Sequence, residues 1–168
     1  MLLMLKAEMS MVTGAGASRA GHARDGPSRA PLEVPHERTA VRLARHTVAD
    51  QLTAVGVCDE TCDDALLVLS ELVSNAVTHA APLPNGRIAV GWTVLADALH
   101  LEITDGGAVT SPQASVAAPF SGSGRGLDIV RTISRAWGVT EGEHSVTVWA
   151  DVPMTRTTPD GRAGNGGN

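Results

Sequence analysis

The sequence predicts an α+β fold, a two-layer α/β sandwich whose mixed and mostly antiparallel sheet carries its helices on one face. Three observations predict it. Helical periodicity is confined to three segments. Alternating apolar and polar residues mark several short strands that follow one another as hairpins. Strands and helices do not alternate one for one, as a doubly wound parallel sheet requires. At 168 residues, 43% apolar and 18% charged, the chain can bury one core but not two.

The expected order is β-α-α-β-β-loop-α-β-β. Pro31–Pro35 is a short edge strand. From His36 to about Ala54, Val41, Ala44, Val48, Leu52 and Val55 recur at spacings of three and four, a helix that Gly56 stops. A second helix runs from Asp59 to about Ala80. Asp59, Glu60, Asp63 and Asp64 suit the positive end of its dipole, and Pro82 and Pro84 end it. Ile88, Val90, Trp92 and Val94 alternate, then Leu99, Leu101 and Ile103, with Ala96-Asp97 in the turn. Residues 106–123 are small, mostly Gly, Ala, Ser and Pro. A third helix is expected over Leu127–Trp137. Val139, then Val146, Val148, Ala150 and Val152, predict a closing hairpin around Glu141-Gly142-Glu143. Residues 1–30, rich in Gly, Ala, Ser and Arg, read as a disordered arm. Residues 154–168 read as a disordered tail, which leaves 31–153 as the folded domain.

Composition excludes several functions. Aromatic residues are 2% of the chain, too few for a base-stacking platform. The net charge is −5, so a broad phosphate-backbone footprint is also excluded, and no direct nucleic-acid contact is expected. The charge is uneven. Residues 1–46 hold 7 basic and 4 acidic side chains, and residues 47–168 hold 6 and 14. An anionic ligand must therefore be held locally, by backbone N–H groups, a metal or a few placed arginines. No apolar run approaches the ~20 residues a membrane helix needs, and the leading Met1–Leu5 is too short for a secretory core. A cytoplasmic protein is expected. Cys58 and Cys62 lack a second pair to complete a metal site and read as reduced thiols.

Three constellations carry chemistry. The first is Glu71-Leu72-Val73-Ser74-Asn75-Ala76-Val77-Thr78-His79. Glu71, Asn75 and His79 step by four and fall on one line beside a wide apolar face. A carboxylate and an amide one turn apart offer oxygens to a hard cation and a base to a hydroxyl, or else a solvated stripe. The second is Leu101-Glu102-Ile103-Thr104-Asp105-Gly106-Gly107. Parity puts Asp105 on the core side with Leu99, Leu101 and Ile103, where a carboxylate needs donors. An exocyclic amine would be one such donor; a turn in which Asp105 bonds its own backbone is the other reading. The third is Gly122-Ser123-Gly124-Arg125-Gly126-Leu127, a Gly-rich run into a helix, whose free N–H groups and positive dipole end suit phosphate, or else a plain flexible loop. It lacks the Gly-Lys-Ser/Thr of a P-loop and the preceding strand of a dinucleotide fingerprint.

In this order the three constellations resemble the Bergerat-fold ATPases, the group of gyrase, Hsp90, histidine kinases and MutL. Within it the chain is most similar to the RsbW-like anti-sigma-factor serine/threonine kinases of actinobacteria. The resemblance covers about residues 32–152. It implies ATP and Mg²⁺ as ligands. It makes Asn75 the Mg²⁺ ligand and Glu71 the general base. It assigns Asp105, with Gly107, to the adenine amine, Gly124 and Gly126, with Arg125 beside them, to the triphosphate, and Thr147 to a water-mediated link between Asp105 and adenine. Parity, however, puts Thr147 on the face of Trp149, opposite Val146 and Val148. The chain departs from the family's first glycine box at Val109, where a glycine is usual, and the segment between the boxes is short. His79 either touches a phosphate or complements the helix C-terminus.

The resemblance implies a regulator that phosphorylates an anti-anti-sigma (STAS-type) antagonist, with a sigma factor as the competing partner and a homodimer as the common state. The alternative is an ATP-dependent anti-sigma binding module without useful transfer, and a third reading is the ATPase output domain of a split histidine kinase. Arg38, Arg42 and Arg45, at spacings of four and three, are either a basic partner face or a solvated one. His36-Glu37-Arg38-Thr39 resembles a histidine-kinase phosphoacceptor box, but only 39 residues separate His36 from Asn75, so His36 reads as a residue at a helix start.

Overall fold

The computed structural model describes residues 31–107 and 124–154. The expected arm, nearly all of the tail, and Val109 with most of the segment between the glycine boxes lie outside them. The order is β1 (Leu32–Pro35), α1 (Thr39–Ala54), α2 (Asp59–His79), β2 (Arg87–Val94), β3 (Ala98–Asp105), α3 (Gly124–Ile133), β4 (Ala136–Glu141) and β5 (Val146–Pro153). It is the order that the sequence predicts.

The five strands form one sheet in the order β1-β2-β3-β5-β4. Every pairing among the described residues is antiparallel. Alternation then sorts the side chains. Ile88, Val90 and Trp92, Leu99, Leu101 and Ile103, and Ala150 and Val152 turn to the helices and are buried. Ala44, Val48 and Leu52 of α1 and Leu69, Leu72, Val73 and Ala76 of α2 meet them from the other side. Each such aliphatic side chain contributes roughly 1.5–3 kcal/mol by leaving water. The second face of the sheet carries His100, Glu102 and Thr104 on β3 and Thr147, Trp149 and Asp151 on β5.

Three helix boundaries differ from expectation. The first helix starts at Thr39, because Pro35–Arg38 form a turn in which the Glu37 N–H donates to Pro35 O at 2.9 Å. The third helix starts at Gly124, not Leu127, so the glycine run forms its first turn, and it ends at Ile133, not Trp137, with Ala136–Glu141 paired to β5 instead. The ladder to β5 outweighs helical continuation here, and Gly138 makes it fit. A Cβ at 138 would lie 2.7 Å from Trp149 Cζ2, so the glycine lets the indole lie across β4.

Candidate functional site

α2 links two of the predicted constellations: its middle faces the start of α3 through Glu71 and Gly126, and the chain just past its end bonds to the turn after β3. α2 supplies Glu71 and Asn75, one turn apart and both half-buried. The Glu71 carboxylate reaches the first turn of α3. A Cβ on Gly126 would strike Glu71 Oε2 and come within 3.3 Å of Cδ. The absent side chain at 126 is thus the space that Glu71 fills. The first turn of a helix has N–H groups without intrahelical partners, and its dipole end attracts anions. Gly124, Arg125 and Gly126 all lie in that turn.

Asp105 ends β3 on the core side and is only 5% exposed. Its Oδ1 accepts the Gly107 N–H at 2.7 Å. The turn reading is therefore realised, through one carboxylate oxygen. Burial pushes the Asp105 carboxyl above the ordinary aspartate value; the Gly107 bond and the nearby His36 work against that rise. Gly107 holds φ at +84°, a conformation that side chains rarely adopt.

The two ends of this site are joined by backbone. Just past α2, the Ala81 N–H donates to Gly107 O at 2.7 Å, and the Gly106 N–H donates to Ala81 O at 2.8 Å. The approach is so close that a Cβ on Gly106 would collide with the Pro82 carbonyl oxygen. The helix that carries Glu71 and Asn75 is thereby fixed to the turn that carries Asp105.

Thr147 is not brought to this site. In register it lies opposite Thr104, and the two hydroxyls are 2.8 Å apart on the far face of the sheet. The residue opposite Asp105 is Val146. The period of two decides this, and parity already indicated it. Arg45 also leaves the suggested basic face, since its Nη1 donates to Leu66 O at 2.8 Å and Ser70 Oγ at 2.7 Å, tying α1 to α2. Cys58 and Cys62 form no disulfide, the Cys58 thiol donates to Thr61 Oγ1 at 3.2 Å, and no metal-holding cluster of His, Cys, Asp and Glu occurs among the described residues. His79 closes α2 and is exposed. A groove of about 380 Å³ between α1 and α2 is lined, among the described residues, by Arg38, Val41, Ser74, Val77 and Thr78, and by neither Glu71, Asn75 nor Asp105.

Two groups escaped the sequence reading. His36 bonds to the last turn of α2. On the far face of the sheet, His100 Nδ1 donates to the fully buried Asp151 at 2.6 Å, with Glu102 3.3 Å from Nε2. Polar residues in phase on two neighbouring strands were the available signal for the second group. Nothing in the sequence signals the first.

Comparison with known proteins agrees with the fold. The family model for the histidine kinase-like ATPase domain matches residues 34–151. Among solved structures, the RsbU and RsbW domains of Rv1364c from Mycobacterium tuberculosis superpose with a TM-score of 0.56 at 18% identity. That match covers 76% of this chain but 33% of the other, so the chain spans about a third of its structural relative, and the likeness is one of fold. No curated protein matches.

Proposed function

The chain belongs to the histidine kinase-like ATPase domain family, and from that premise we propose that it is an anti-sigma-type regulator that binds MgATP and phosphorylates a serine or threonine of a small STAS-type antagonist. ATP binding is what the family implies. The transfer, the antagonist, the sigma factor, a homodimeric state and a cytoplasmic setting are our reading. No helix among the described residues is long and apolar enough to cross a membrane.

One observation carries the proposal. A single helix, α2, is anchored at its end to the turn of Asp105 and lays Glu71 against the first turn of α3. Those are the places where the purine and the phosphates of one nucleotide would lie. In this reading the Asp105 carboxylate accepts the adenine amine, and its burial makes an incoming donor worth more than it would be in water. Gly107 keeps the backbone open to the ring. The N–H groups of the first α3 turn, Gly124–Gly126, receive the phosphates, with Arg125 an added cation. Glu71 orients or deprotonates the attacking hydroxyl. Asn75 would hold Mg²⁺ through its amide oxygen; that ion, when bound, offsets charge on the phosphate oxygens. Most of the catalysis is positioning and electrostatics, as in other phosphoryl transfers.

The test uses labelled ATP and STAS-type proteins encoded beside this chain. The kinase reading predicts transfer to one of them, and loss of transfer with ATP binding retained in Glu71→Ala. Tight ATP binding without transfer to any would instead make the chain a nucleotide-dependent binding module.

A further inference from the structure

We propose that His36 is a positioning residue for the nucleotide, which clamps the last turn of α2 and so fixes Asp105 for the purine. The proposal rests on reading the site as an ATP site. His36 Nε2 lies 3.2 Å from Ala76 O and 3.0 Å from Ala80 O. A carbonyl oxygen only accepts, so Nε2 carries a proton and donates to both. These are carbonyls at the end of a helix, where intrahelical donors run out. Ala76 O also accepts the Ala80 N–H at 3.1 Å; Ala80 itself is extended, so its own carbonyl lies beyond the helical ladder. The imidazole thus caps α2 from a turn 44 residues before Ala80 in the chain.

The cap leads directly to the site. Ala81, the next residue, exchanges its two hydrogen bonds with Gly106 and Gly107, and Gly107 in turn donates to Asp105. His36, Ala80, Ala81, Gly107 and Asp105 therefore form one chain of bonded or adjacent groups. The ring also lies near enough to Asp105 to oppose the effect of burial on its carboxyl. A histidine serving only the fold would stabilise α2 and leave purine discrimination untouched. A histidine that sets Asp105 must change that discrimination.

The test titrates the full chain with ATP and with inosine triphosphate, which carries an oxo group in place of the exocyclic amine. Two variants are compared with the wild type by binding and by thermal melting. His36→Gln keeps an N–H donor, and His36→Met keeps the volume without one. We expect His36→Met to bind ATP about tenfold more weakly, with its preference for ATP over inosine triphosphate shrinking toward one, and His36→Gln to recover most of both. Equal losses for the two nucleotides, no loss, or no recovery in His36→Gln would overturn the inference and leave the ATP site standing. A wild type that binds neither nucleotide would overturn the site reading and the inference with it.

Discussion

The Glu71 carboxylate occupies the space that a side chain on Gly126 would need. A carboxylate on the middle of one helix is thereby held at the opening turn of another. In the proposed reaction this sets the base beside the phosphates.

Gly126→Ala separates stability from chemistry. The new methyl meets the far end of a flexible side chain, so Glu71 can swing away and the fold survives. Alanine also gains about 1 kcal/mol over glycine within a helix. The melting temperature is expected to hold or rise, while phosphoryl transfer to the antagonist falls at least about tenfold. Thermal melting and a transfer assay on the same preparation check both.

Gly106→Ala should behave oppositely. Its Cβ would meet the Pro82 carbonyl oxygen, which is backbone and cannot rotate out of the way. The Ala81 bridge must open or the turn must shift. Urea unfolding should show a loss of about 2–4 kcal/mol.

The far face of the sheet makes stability depend on pH. His100 donates to Asp151 and faces Glu102, with Arg135 Nε 3.9 Å from the other Asp151 oxygen. The bond to Asp151 first, then that to Glu102, hold the imidazolium up to about 9, against an ordinary 6.5. A raised folded value means that stabilisation is complete below about 6.5 and disappears as pH climbs through about 9. The loss should be on the order of 3 kcal/mol. In His100→Gln this alkaline decline should flatten, as measured by denaturant unfolding across that range.

How far the sequence reaches is visible in these residues. The alternation of Leu99, Leu101 and Ile103 placed Asp105 on the core side, and the four-residue step from Glu71 to Asn75 fixed their common line. Both depend on local periods. The same parity placed Thr147 on the far face, against the role that resemblance implied for it, and the register with Thr104 bears parity out. Trp137 was misplaced because its strand exists only through pairing with β5 and the hollow at Gly138. His36 was out of reach for the same reason: its partners lie 40 and 44 residues away.

Asn75→Ala tests the cation. If its amide oxygen holds Mg²⁺, the variant should bind ATP with nearly the same affinity with and without Mg²⁺. The wild type should gain about tenfold or more from the ion. Titrations in magnesium and in a chelator make the comparison.

The central claim is that Asp105 reads the purine of ATP. Equilibrium titration of the intact chain and of Asp105→Asn with ATP in the presence of Mg²⁺ tests it most directly. The amide can still accept the Gly107 N–H, so the turn is kept while the anionic acceptor is lost. The account predicts saturable binding to the wild type and at least about tenfold weaker binding to the folded variant. Equal affinities, or a wild type that does not bind ATP, would contradict it.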